Sequence, residues 1–148
     1  MQSPKRTFPS DASLASARMN KREATVLAEN AVQCQTFLYD FSQDGGAVGD
    51  VSFGVKLPAN AVVTSIYSDE QTAFTSGGSA TITLKAGSTS LTGALAFNTD
   101  FTGQDKQDLA SSADAIKLSS ASELKLTIGT AALTAGKCRF AIYFHQSK

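Results

Sequence analysis

The segment from residue 44 to residue 63 limits the fold of this chain more than any other stretch. The glycine pair Gly45-Gly46 indicates a turn, and apolar residues then occupy every second position over residues 51–55. A Pro-Ala-Asn turn over residues 58–60 leads directly into a second apolar segment. Short alternating segments separated by turns are typical of neighbouring strands in an antiparallel β-protein.

The same alternation recurs along the rest of the chain. Further strands are predicted over residues 32–41, 61–67, 80–85, 115–118, 123–128 and 138–144, with loops over residues 72–79 and 129–136. Residues 87–101 fit either a short helix or an irregular strand. Because 148 residues suit one domain, this series of short strands predicts an all-β fold. We expect an antiparallel β-sandwich, jelly-roll-like, over residues 31–148, with an extended N-terminal arm.

The first predicted strand has apolar residues on both faces. Val32, Cys34 and Leu38 alternate with a second set that includes Phe37 and Tyr39. One face is therefore expected to cover the core and the other to contact another subunit of a homotrimer. The residues predicted for this subunit interface are Gln35, Phe37, Tyr39 and Phe41.

The two cysteines, Cys34 and Cys138, are too few for a disulfide-built scaffold, and their spacing matches no zinc motif. They lie on the first and last strands, in phase with Leu38 and Phe140. Both are expected to face the core as free thiols, which behave as small apolar side chains. A disulfide between them is the alternative.

Residues 1–30 differ in composition from the rest of the chain. They contain five basic and three acidic residues together with Pro4, Pro9 and several serines. This composition is typical of an extended arm. A short helix capped by Ser10 or Asp11 is an alternative for part of it. Because no apolar run is long enough for a signal peptide or a membrane span, we expect no secretion and no membrane partner.

No catalytic motif is recognisable in the sequence. The single histidine, His145, is expected at the end of the last strand, half-exposed, and no nucleophile elbow, phosphate-binding loop or metal-protease motif is present. The formal net charge is zero, so no overall field attracts nucleic acid. We therefore predict a protein that is not an enzyme, needs no cofactor and binds no nucleic acid.

Two groups of aspartates are candidate cation ligands, because calcium prefers several converging oxygens. Neither group has the spacing of an EF-hand or of calcium-binding β-roll repeats. Both are therefore expected to be solvated loop carboxylates, with a calcium site as the alternative. The first group comprises Asp40, Asp44 and Asp50, and the second comprises Asp100, Asp105, Asp108 and Asp114.

Five short motifs occur in order between residues 36 and 145. They are Tyr39-Asp40-Phe41, Asp44-Gly45-Gly46-Ala47, Leu57-Pro58-Ala59-Asn60-Ala61-Val62-Val63-Thr64, Ala73-Phe74-Thr75-Ser76-Gly77-Gly78-Ser79-Ala80-Thr81-Ile82 and Leu133-Thr134-Ala135-Gly136-Lys137. This succession resembles a family of tailed-bacteriophage virion structural proteins of the head decoration, or cement, type. The motifs are turns and strands, so they specify fold more closely than role.

The resemblance implies a non-enzymatic protein that binds the major capsid protein lattice on the phage head and stabilises the shell. Such a protein is made in the host cytoplasm and becomes part of the virion. The basic arm is then expected to contact the capsid or a neighbouring subunit through Lys5, Arg6, Phe8, Arg18, Met19, Lys21 and Arg22. The alternatives are a tail or fibre adaptor, a receptor-binding virion protein, and a carbohydrate-binding β-sandwich module.

Overall fold

Ten strands form two antiparallel sheets in the computed structural model, which describes residues 31–147. The strands are β1 (Gln33–Asp40), β2 (Gly49–Leu57), β3 (Ala61–Ser76), β4 (Thr81–Ala86), β5 (Thr89–Ser90), β6 (Leu95–Ala96), β7 (Gln104–Gln107), β8 (Ile116–Lys117), β9 (Ser122–Gly129) and β10 (Leu133–Gln146). The first sheet has the order β1-β10-β3-β7, with β8 also paired to β3. The second has the order β2-β9-β4-β5, with β6 also paired to β4.

The two longest strands, β3 and β10, form the centre of the first sheet. Strand β1 pairs with β10 from Gln33, opposite Phe144, to Asp40, opposite Lys137. The first strand therefore begins, and the last strand ends, at the same end of this sheet. The predicted all-β antiparallel fold is confirmed.

The core lies between the sheets because alternate residues of each strand point inward. In β4, β9 and β10 every second side chain is buried while its neighbours are half-buried or exposed. An aromatic chain crosses this core, with Phe140 packed between Phe37 at 5.2 Å and Phe101 at 6.1 Å between ring centroids. Phe74 extends the chain to Tyr39 at 5.7 Å and to Phe101 at 5.2 Å.

One glycine, Gly136, lets the last strand pass over the aromatic core. It lies at a register irregularity of β10 between Ala135 and Lys137, and its φ is +144°. A Cβ at this position would overlap the ring of Phe74 and approach its Cε1 to 2.8 Å. Only glycine meets both conditions without strain, since it lacks a Cβ and tolerates positive φ.

Several elements differ from the sequence-based expectation. Phe41 was expected to extend the first strand, but it begins the short helix α1 (Phe41–Asp44). The helix starts here because the Asp40 carboxylate accepts a hydrogen bond from the Ser42 backbone N–H at 3.0 Å and so caps it. The segments 72–76 and 133–136, expected in loops, pair with each other as extensions of β3 and β10. Because these segments are polar and contain register shifts, their sequence shows no regular alternation of apolar and polar residues that would predict a strand.

The polar stretch before residue 115 contains an unexpected strand, β7. It is held to β3 by the backbone ladder and by buried Gln107, whose amide donates to Ser68 Oγ at 2.8 Å and to the Asp100 carbonyl at 2.7 Å. The ambiguous stretch 87–101 contains only the two-residue strands β5 and β6. Of the helices found in residues 31–147, none is long and apolar enough to span a membrane.

Candidate binding surface

The capsid-contact residues expected in the N-terminal arm lie outside the described residues. They are Lys5, Arg6, Phe8, Arg18, Met19, Lys21 and Arg22. The role expected for this segment stays a prediction. The expected boundary between an arm over residues 1–30 and a β-sandwich domain over residues 31–148 also stays a prediction.

Two of the four side chains expected at a subunit interface, Phe37 and Tyr39, instead form part of the protein's own core. Phe37 is 7% exposed and Tyr39 is fully buried, so neither side chain is available to another subunit. The Tyr39 hydroxyl donates to the Gly45 carbonyl at 2.6 Å, and burial, followed by the charges of Asp44 and Asp40, raises the pKa of Tyr39 to about 12. Phe41 is half-buried against the core, and Gln35 is half-buried in β1. These placements correct the expected face of the strand.

The outward face of β1 carries the alternate residues Cys34, Thr36 and Leu38, all exposed. Cys34 was expected to face the core, and the structure places it on the surface. Cys138 is buried as expected, and burial raises the pKa of its thiol to about 12. Both thiols are free, and Cys34 lies opposite Tyr143 whereas Cys138 lies opposite Tyr39. The alternative of a disulfide between them therefore does not hold.

The first aspartate group supports local structure. Asp40 accepts from the Ser42 Oγ at 2.7 Å and lies 3.4 Å from Lys137 Nζ, and these hydrogen bonds and this charge lower the pKa of the Asp40 carboxyl. Asp44 accepts from the Asp40 backbone N–H at 2.8 Å. Asp50 accepts from Thr127 Oγ1 at 2.6 Å. These carboxylates are therefore engaged in the cap, an ion pair and a cross-strand hydrogen bond.

The second aspartate group is dispersed. Asp100 accepts from the Ala96 backbone N–H at 2.6 Å, and Asp105, Asp108 and Asp114 are exposed. Across residues 31–147, no three acidic, histidine or cysteine side chains are grouped closely enough to hold a metal ion. His145 is half-buried near the end of β10, in the position expected for it.

The outer face of the first sheet, the surface turned away from the core, combines aromatic and charged side chains. Strand register places Ala141, Tyr67 and Lys106 in one row across β10, β3 and β7. The adjacent row, two residues along each strand, contains Arg139, Asp69 and Gln104. Residues that are distant in sequence are thus brought together by strand pairing alone.

A shallow cavity of about 450 Å³ lies over these two rows. It is lined by Tyr67, Ser68, Asp69, Gln104, Asp105, Lys106, Arg139 and Ala141. Tyr67 is 44% exposed, and its ring meets that of Tyr143 edge-on, with centroids 5.6 Å apart and planes at 86°. Sequence reasoning did not identify this cavity, because its residues converge only when the registers of β10, β3 and β7 are known.

Comparison with known proteins finds similarity in structure alone. No protein-family model and no curated protein matches the sequence. A chain in the acid-stable capsid structure of Helicobacter pylori bacteriophage KHP30 has a TM-score of 0.54 and 12% identity, over 80% of this chain and 91% of that chain. A chain in the capsid asymmetric unit of cyanophage Pam1 has a TM-score of 0.56 and 12% identity, over 99% and 93% of the two chains.

This similarity establishes a shared fold. The protein belongs to the class of all-β, jelly-roll-like proteins, and these two chains with the same fold come from phage capsid structures. The alignment with the Pam1 chain covers nearly all of both chains.

Proposed function

We propose that this protein is a non-enzymatic structural component of a tailed-phage virion, and that it decorates the head by binding the major capsid lattice. The observation that supports this most strongly is the fold shared with the Pam1 capsid chain over nearly the whole length of both. The ordered turn and strand motifs between residues 36 and 145, which resemble head decoration proteins, support the same role.

The structure of residues 31–147 is compatible with a role in cementing a shell. The core is continuous, and the buried polar side chains of this part of the chain all have hydrogen-bond partners. A well-packed domain of this kind would add contact area across the seams between capsid subunits. Repeated copies on a lattice then combine contacts that are individually weak, since tethered binding sites multiply apparent affinity.

The experiment that tests this role is quantitative mass spectrometry of purified virions, with the major capsid protein as the internal reference. We expect hundreds of copies per particle, because a head lattice offers many equivalent positions. Fewer than about twenty copies would indicate a symmetric tail component instead. Absence of the protein from purified particles would contradict any structural role in the virion.

We further propose that the protein assembles as a homotrimer through β1. Of the sheet edges described, β7 has four residues including two charges, β5 has two residues, and β2 loses its register between Ser52 and Lys56. Strand β1 is an eight-residue edge without a charge before Asp40. Natural sheets usually protect such edges with charges, bulges or shortness, so an unprotected edge is suited to contact another chain.

Exposed apolar side chains on β1 and just before it favour a second copy of this chain as the partner. Val32 is 65% exposed and Leu38 is 36% exposed. Because β1 carries no charge before Asp40, copies of it meet without like-charge repulsion. Three copies arranged around a three-fold axis would each bury this edge in a closed ring.

Replacing Leu38 with lysine is expected to convert the trimer to a monomer, because three buried ammonium groups near one axis repel and lose hydration. Sedimentation velocity of the wild type and the L38K variant measures this change directly. The matched control is V48K, which introduces the same charge at an apolar residue that is 58% exposed and lies outside β1. A wild-type protein that stays monomeric at high concentration and on the head contradicts the trimer.

A further inference from the structure

We propose that the cavity over Tyr67 on the outer face of the first sheet binds a neutral saccharide. The proposal goes beyond the structural role in the virion and does not depend on it. It rests on three properties of the site, which are an oriented aromatic ring, polar groups beside that ring that have no partner among residues 31–147, and a balanced charge.

The aromatic ring of Tyr67 is exposed and held in place. Its neighbour across the β3–β10 pair is Ala141, whose small side chain leaves space beside the ring. The edge-on contact with Tyr143 supports Tyr67 from one side. An oriented aromatic face that is open to solvent is suited to packing against the C–H face of a sugar ring, because both surfaces are apolar.

The adjacent row places an acceptor and a donor side by side next to this ring. Arg139 and Asp69 lie directly opposite each other in the strand register. Even so, within residues 31–147 no ion pair or hydrogen bond engages the Asp69 carboxylate or the Arg139 guanidinium. Carboxylates only accept and guanidinium groups only donate, whereas each sugar hydroxyl does both. Neighbouring hydroxyls of one sugar can therefore donate to Asp69 and accept from Arg139.

The charge of the cavity favours a neutral ligand. Asp69 and Asp105 are balanced by Lys106 and Arg139, so the site has no net field that would select an anion or a cation. A volume of about 450 Å³ is within the range of small-molecule sites. Because the cavity is shallow, a single site is expected to bind in the millimolar range, and many copies on one particle would strengthen attachment through avidity.

The test is saturation-transfer NMR on the full-length protein. The probes are three neutral disaccharides, namely the β-1,4-linked dimers of glucose and of N-acetylglucosamine and the α-1,4-linked dimer of glucose. We expect transfer to at least one of them. The Y67A variant should weaken binding of that disaccharide at least tenfold, whereas Y67F, which keeps the ring, should bind within about threefold of the wild type.

Two further variants separate a site from non-specific adhesion. D69N removes the charge of the acceptor and is expected to weaken binding severalfold, while V48A, at an exposed apolar residue away from the cavity, should leave it unchanged. No transfer to any of the three probes overturns the proposal, and so does equal binding by Y67A and the wild type. Loss of head attachment in Y67A without saccharide binding identifies the surface as a protein contact and also overturns it.

Discussion

Replacing Gly136 with alanine is expected to lower the free energy of unfolding by about 3–5 kcal/mol, through backbone strain and overpacking together. The new methyl group would overlap the Phe74 ring. That ring is 4% exposed and packs against Tyr39 and Phe101, so it has little space into which to move. Urea denaturation followed by circular dichroism measures the change.

The matched control for this variant is G49A. Gly49 has a φ of +138°, close to that of Gly136, but a Cβ there meets no atom within 4 Å. G49A should therefore cost only the strain of positive φ, about 1–2 kcal/mol. Adding Phe74→Leu to G136A should recover part of the loss, because a smaller side chain relieves the overlap. Equal destabilisation by G136A and G49A would show that the contact with Phe74 is unimportant.

Deleting residues 1–22 is expected to weaken binding to undecorated heads by a factor on the order of ten to a hundred, while the melting curve of the domain changes little. The deletion removes five basic side chains. Exposed ion pairs contribute up to about 1 kcal/mol each, which accounts for a loss of this size. The advantage of the full-length protein should shrink as salt concentration rises, because exposed charges are screened. Binding is measured by co-sedimentation with the heads.

A full-length variant with glutamine at the five basic positions separates the contribution of charge from that of apolar contacts. The positions are Lys5, Arg6, Arg18, Lys21 and Arg22. If charge dominates, this variant should bind as weakly as the truncated protein and lose its dependence on salt. Full binding by the truncated protein would remove the N-terminal segment from the attachment mechanism.

The fold class was predictable from the sequence because period-two alternation is local and is retained in β4, β9 and most of β10. The orientation of β1 could not be predicted from the sequence, since both of its faces carry apolar residues. Packing across the sandwich decides that Phe37 and Tyr39 face inward: Phe37 meets Phe53 of the second sheet with ring centroids 4.4 Å apart. Alternation therefore identifies a strand, whereas contacts with the opposite sheet select its buried face.

Two features, helix α1 and the cavity over Tyr67, could not be predicted from the sequence. Helix α1 is only four residues long and depends on one capping carboxylate, so no periodic pattern marks it. The cavity over Tyr67 combines residues from three strands, and one-dimensional spacing contains no information about which residues become neighbours. The sequence alone gave no reason to regard the charged residues of the cavity as anything other than solvated side chains. Strand pairing places them beside the exposed ring of Tyr67.

The shared end of β1 and β10 has a consequence for displaying foreign peptides on this domain. Gln33 lies opposite Phe144, so a peptide fused after the last strand would emerge beside the point where the chain enters the domain. The exposed residues 77–79 follow β3, whose Ser76 lies opposite Leu133 at the start of β10. A peptide inserted there would project from the opposite end of the first sheet, so the two positions would display two peptides at opposite ends of the same domain.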